Sequence, residues 1–293
     1  MTESNAYEAL SEEGDARWAF GTGFSDPLAG VDTAVPPGAD GADLAAYALM
    51  LGDDALILSQ RLGEWVTRAP ELEEEVALAN IALDLLGQAR LLLARAGAAD
   101  GSARSEDDFA FRRDGGAFRN VRLAETANGD FACTMARLLV LSTWRLALFT
   151  HLTASLDPVL AAVAAKGVPE LTYHREHAAD WVVRLGDGTD ESHRRMQAGL
   201  DATWPLVDEL FGCHPVERRL ADASVAVDPA GLRPEFDGVL DAVVAASGLR
   251  RPEVAARSGV GGRTGRDGVH TEALSPLLAE LQSVARAHPG ARW

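Results

Sequence analysis

Asp84, Gln88, Glu170, His174 and His177 are the residues whose types and spacing could do chemistry. Asp84 and Gln88 stand four apart, as do Glu170 and His174, and His177 follows His174 by three. On a helix, side chains three or four apart share a face and can grip one ion. An oxygen-activating di-iron bundle asks for more: one Glu from each of two helices and a Glu-x-x-His from each of two others. The chain contains no Glu-x-x-His. Asp84-x-x-Gly87 ends on a residue with nothing to ligate with. Leu85-x-x-Gln88 offers a hydrocarbon and an amide in place of carboxylate and imidazole. Glu170-x-x-Tyr173 misses His174 by one position. Glu64, Glu170, His174, His177 and Asp180 remain as possible ligands of a single metal, although such a site wants three or four convergent donors. Two other readings stay open: an ion-pair or hydrogen-bond network filling the pocket, or a solvated face along the polar run YHREHAAD.

The elements that must position these residues are helices. In Leu51–Ala96, Leu51, Ala55, Leu58, Leu62 and Trp65 repeat every three or four residues, the period of an apolar helical stripe. After the turn Thr67-Arg68-Ala69-Pro70 comes a second helix with two stripes. One is Val76, Ala79, Leu83, Leu86 and Leu93; the other is Leu78, Ala82, Leu85, Ala89 and Leu92. So wide an apolar surface predicts burial on several sides, with Asn80, Asp84 and Gln88 as the polar edge. Asp43 reads as the N-cap of the first of this pair. A third helix, Phe131–Leu156, has only Arg137 and Arg145 as internal charges, no carboxylate, and an N-cap from Asn128-Gly129-Asp130. In the fourth, Leu160–Leu185, Gly167 and Pro169 predict a kink or restart. A helix from Asp190 to about Phe211 is expected to bend at Pro205, and shorter helices at Glu235–Ala246 and Leu274–Ala287 follow. No stretch shows strand alternation. The reading is all-α, a helical bundle: residues 1–42 a flexible acidic extension that Trp18, Phe20 and Phe24 tack down in part, residues 43–293 one domain.

Composition narrows the function classes. Against 27 basic side chains stand 44 acidic ones, a net charge of −17, which argues against nucleic acid and against an anionic membrane surface. No run of eighteen apolar residues is present, and the start MTESNAYEALSEEG lacks a basic-then-apolar leader, so a cytoplasmic protein is expected. Cys133 and Cys213 make no metal-type cluster and read as buried thiols. The loop Gly259–Gly268 lacks the Gly-Lys-Ser/Thr ending of a phosphate loop; covering a bundle end is its expected use. Arg194-Arg195 and Arg218-Arg219 read as exposed basic pairs.

Several long motifs, in order, resemble the PaaC family, the structural subunit of the bacterial phenylacetyl-CoA epoxidase. They are LGDDALILSQRLGEW and PELEEEVALANIALDLLGQAR within Leu51–Ala94, FRN and NGDFACTMAR within Phe118–Arg137, and DWVVRLGDGTDESHRRM over Asp180–Met196. GRDGVHTE, Leu277–Gln282 and the ending PGARW complete the set, and the similarity covers roughly residues 43–293. Residues 1–42 have no counterpart, and Gly167-Val168-Pro169 places a breaker where the family helix is continuous. The resemblance implies a ferritin-like bundle paired with a homologous catalytic subunit. That partner carries the di-iron centre and binds the CoA thioester, while a reductase with flavin and iron–sulfur groups supplies electrons from NADPH. Glu64 is similar in position to the first core-helix Glu of the catalytic relative. Where that relative has Asp-Glu-x-x-His, this chain has Asp84-Leu85-Leu86-Gly87-Gln88. The resemblance thus assigns no catalytic residue, cofactor or metal to this chain. Glu64, Asp84, Leu85, Gln88, Glu170 and His174 become positions of a degenerate metal pocket. Two rivals are a self-sufficient metal oxidase using Glu64, Glu170 and His174, and a helical scaffold or ligand carrier.

Overall fold

The computed structural model describes residues 28, 30–257, 259–289 and 291; Trp18, Phe20, Phe24 and the end of PGARW lie outside them. Four long helices form the centre: α1 (Gly41–Gly63), α2 (Leu72–Ala99), α5 (Phe131–Leu152) and α6 (Pro158–Gly186). Short connections make α1–α2 and α5–α6 antiparallel hairpins, the arrangement of a ferritin-like bundle. The long link between the hairpins carries α3 (Glu106–Phe111) and α4 (Arg122–Glu125). Beyond α6 come α7 (Asp190–Thr203), α8 (Pro215–Asp222), α9 (Arg233–Ala246) and α10 (Leu274–Ala287), packed around the bundle. Among the described residues the only extended pairing is an isolated bridge, Val260 with Arg263.

Local chemistry sets the helix ends. Asp40, not Asp43, caps α1: its carboxylate accepts from the amides of Ala42 and Asp43. Asp43 instead sits in the first turn and pairs with Arg219 at 2.6 Å. Asp130 caps α5 through the Cys133 amide, as expected. That helix stops at Leu152, four residues early, because Asp157 caps α6 and Pro158 takes its first position.

Of the two alternatives expected for α6, the restart at Gly167-Val168-Pro169 is not taken. α6 runs unbroken through Gly167 and Pro169. Gly167 is buried, and a Cβ there would lie 2.7 Å from Phe149 Cδ2, so glycine is what lets α5 and α6 approach. Pro169 is exposed, which leaves the backbone group it orphans on the solvent side. Nor is α2 buried on several sides. Its stripe of Leu78, Ala82, Leu85, Ala89 and Leu92 is in the core, but Leu72, Val76 and Leu83 are 71%, 52% and 63% exposed, with Leu86 beside them. α2 stands at the bundle edge, touching α1, α6 and α3, and no further element covers its outer face among the described residues. By length and composition α2 and α5 could each cross a membrane, yet 89% of the α5 window is inside the fold. The helix expected over 190–211 ends at Thr203 and continues as a tighter 3-10 coil, Trp204–Phe211, where Pro205 removes a donor.

Candidate functional site

The fold brings α2, α5 and α6 together on one polar cluster inside the bundle. Turn-by-turn spacing puts Asp84 and Gln88 on the α2 face toward α6, and Glu170 and His174 on the α6 face toward α2. They meet as two rungs. Gln88 Nε2 donates to Glu170 Oε2 at 2.9 Å, and His174 Nε2 lies 3.0 Å from Asp84 Oδ2. The other Glu170 oxygen takes the Lys166 ammonium one turn back. Leu85 is buried in the core, so the position that would have to supply a carboxylate supplies packing.

Arg145 on α5 completes the cluster. Its Nε donates to Gln88 Oε1 at 3.0 Å and its Nη1 to the Leu51 carbonyl of α1 at 3.2 Å, while the guanidinium lies 4.4 Å from the Phe149 ring centroid. Burial pulls its pKa down to about 10, which still leaves it a cation at neutral pH. A chain of contacts therefore runs through all four core helices, from Leu51 to Arg145, Gln88, Glu170 and Lys166. Sequence reasoning registered Arg145 only as one of two charges in an apolar helix. An arginine on the buried side of an apolar bundle helix, opposite a helix with an amide and a carboxylate, was the signal.

The remaining candidates lie elsewhere. Glu64 is not in the cluster: it caps the far end of α1, bonded to Arg61 at 2.7 Å and to Asn128 at 3.0 Å. His177 sits 3.2 Å from Glu74, whose same oxygen accepts from Trp181 Nε1 at 2.8 Å. Burial holds the His177 pKa below the usual histidine value, against the opposing pull of Glu74 and Asp180. Among the described residues, no three His, Cys, Asp or Glu side chains converge as a metal ion requires. The donor set is one imidazole–carboxylate pair, one amide–carboxylate pair and a buried guanidinium, and this does not fit a di-iron centre.

A second set of buried ion pairs was not anticipated. Asp54 binds Arg266 at 2.8 Å and Asp53 binds Arg113, which clamps the C-terminal loop and the inter-hairpin link onto α1. Asp53 also accepts from the Arg119 amide at 2.8 Å, and Glu125 meets His270 at 2.8 Å. Arg95 holds Asp157, and Arg122 holds Glu209 at 2.5 Å. Asp53, Asp54, Arg119, Arg266 and His270 are residues of LGDD, FRN and GRDGVHTE, so the motifs double as clamps. The glycines of the last loop serve the same packing. A Cβ on Gly265 would fall 2.0 Å from the Asn120 carbonyl oxygen. A groove of about 520 Å³ between this loop and Asp208–Pro215 mixes four arginines with Asp208, Glu209 and Asp267.

Comparison with known proteins agrees with the bundle. Residues 30–293 match the family described as "Phenylacetic acid catabolic protein". Over 251 residues the chain is 45% identical to one of the component chains of the 1,2-phenylacetyl-CoA epoxidase of Escherichia coli (strain K12), the one lettered C. That match spans 85% of this chain and 99% of the relative. An all-α ferritin-like bundle and a match along nearly the whole fold lead to one assignment: the chain belongs to the phenylacetic acid catabolic protein family.

Proposed function

We propose that this chain is the non-catalytic, structural subunit of a multicomponent phenylacetyl-CoA epoxidase of aerobic phenylacetate catabolism in the cytoplasm. It pairs with a homologous ferritin-like catalytic subunit and completes the oligomer. The di-iron centre belongs to that partner, and the reductase supplies electrons from NADPH. The observation that carries the reading is the Gln88–Arg145–Glu170 network: protein groups, one of them a fixed cation, take up the interior positions where a bundle oxidase needs ligands. The contribution of this chain is packing and electrostatics. Leu72, Val76, Leu83 and Leu86, spaced to share one side of α2, are an apolar face left outside the closed bundle, and such faces mark interaction sites. An obligate interface of this kind exceeds about 2,000 Å².

Gln88→Ala tests the reading. Once the complex is reconstituted, turnover per assembled complex is expected to stay close to wild type. The isolated chain is expected to lose about 1–3 kcal/mol in urea unfolding, since Arg145 and Glu170 lose a buried partner. A loss of several hundredfold in turnover, with the complex still assembled, would place chemistry in this pocket.

A further inference from the structure

Starting from the reading of the α2 outer face as a docking surface, we propose that this face is self-complementary about a two-fold axis. In the isolated chain a second copy, with its α2 running antiparallel, covers it; the homologous subunit displaces that copy when the complex assembles.

The face is a heptad seam. Leu72, Val76, Ala79, Leu83, Leu86 and Arg90 follow one another by four, three, four, three and four residues. That is the coiled-coil period of about 3.5 residues, a narrower strip than a globular core buries. Leu72, Val76, Leu83 and Leu86 are exposed, while the stripe from Leu78 to Leu92 on the other side of α2 lies in the core. So narrow a strip matches one helix, and it runs about 27 Å along the axis. Its charges give it a direction. Glu71 and Glu73 stand exposed at the first end, with Glu75 half-buried beside Val76. Arg90 closes the other end, its side chain 65% exposed and paired with Glu106 of the same chain. Two parallel copies set glutamates against glutamates and arginine against arginine. Antiparallel copies set each Arg90 against the acidic end of the other helix and align the helix dipoles favourably. The spacing also closes on itself. A two-fold axis level with Ile81 places Leu72 opposite Arg90, Val76 opposite Leu86 and Ala79 opposite Leu83, each across the two copies, as an isologous interface requires. A strip one helix wide covers less than the roughly 1,200 Å² of a standing interface, so the pairing is weak and depends on concentration.

Sedimentation equilibrium of the purified full-length chain, together with thiol cross-linking, tests this. Wild type is expected to show a monomer–dimer equilibrium that shifts with concentration, and Val76→Asp with Leu83→Asp to be monomeric throughout. A short bismaleimide is expected to link chains carrying both Val76→Cys and Leu86→Cys into dimers, because those positions meet across the axis. Within one helix they lie about 15 Å apart, too far for the linker. Leu72→Cys alone is expected to stay unlinked, since its two copies stand about 27 Å apart; wild type, with Cys133 and Cys213, is the control. Wild type that stays monomeric up to its highest soluble concentration overturns the proposal, as does a dimer that survives Val76→Asp with Leu83→Asp. Linking of Leu72→Cys as efficient as that of the Val76→Cys, Leu86→Cys chain means parallel helices and overturns it too. A monomeric chain that still forms a complex with the homologous subunit removes the self-pairing and leaves the proposed function intact. An antiparallel dimer with no such complex does the reverse.

Discussion

Asp84 and Gln88 differ in one respect that governs the chemistry of the cluster: Asp84 faces partly into solvent, while Gln88 is buried between an arginine and a glutamate. His177, one turn beyond His174 and on the same seam, is where titration shows. Glu74, Asp180 and His174 face it, but burial dominates and lowers its pKa from 6.5. The unfolded chain therefore takes up this proton first as pH falls. Stability is full above the unfolded value and declines below it, down through the lowered folded value. Urea midpoints measured from pH 7.5 to 5 are expected to fall more for wild type than for His177→Gln; parallel profiles would show that His177 carries no such linkage. Spacing alone made Asp84, Gln88, Glu170 and His174 legible, because pairs four apart on adjacent helices announce a shared face. Arg145 was not legible as their partner, since its contacts join residues 57 or more positions apart. Glu64 misled for the same reason. Similarity of position along a helix says nothing about the level it occupies in the bundle, and Glu64 sits at the end of α1 with Arg61 and Asn128.

The α5–α6 hairpin shows how an element is fitted to its neighbour rather than to its own propensities. A Gly-Val-Pro run inside a helix predicts a break, yet Phe149 needs the space that Gly167 leaves. Gly167→Ala raises helix propensity by about 1 kcal/mol, but forces a methyl group to within 2.7 Å of a buried ring. Overpacking of this kind costs about 1–3 kcal/mol. The net expectation is a loss of stability in urea unfolding; a gain would mean that α5 and α6 are not in this register. The α1 clamps work likewise. Asp54 and Arg266 lie 212 positions apart and are both buried, so Arg266→Met strands a carboxylate and is expected to cost about 3–5 kcal/mol. A measured cost near that of a surface pair would contradict the clamp. Helix existence and most boundaries were readable from period and caps. What was not readable was which of the two apolar stripes of α2 faces inward, because both have the same period and only the position of α2 at the bundle edge separates them.

At the scale of the whole molecule, a strongly acidic protein presents an apolar band along α2 flanked by Glu71, Glu73 and Arg90. Such a band fits a partner helix face rather than polyanions or anionic lipid. Because Leu83 and Val76 are already exposed, Val76→Asp with Leu83→Asp is expected to leave unfolding of the isolated chain within about 0.5 kcal/mol of wild type. The same pair is expected to abolish co-purification with the homologous subunit, and retained co-purification would move the interface elsewhere. On the proposed reading, reactivity resides in a companion chain and this chain shapes it. The most direct measurement is co-expression with the homologous subunit, native mass of the complex, then separation of the two chains and iron analysis of each. A stoichiometric complex whose iron follows the companion is the predicted result. Iron that stays with this chain, with oxygen consumed by the chain alone, would contradict the account.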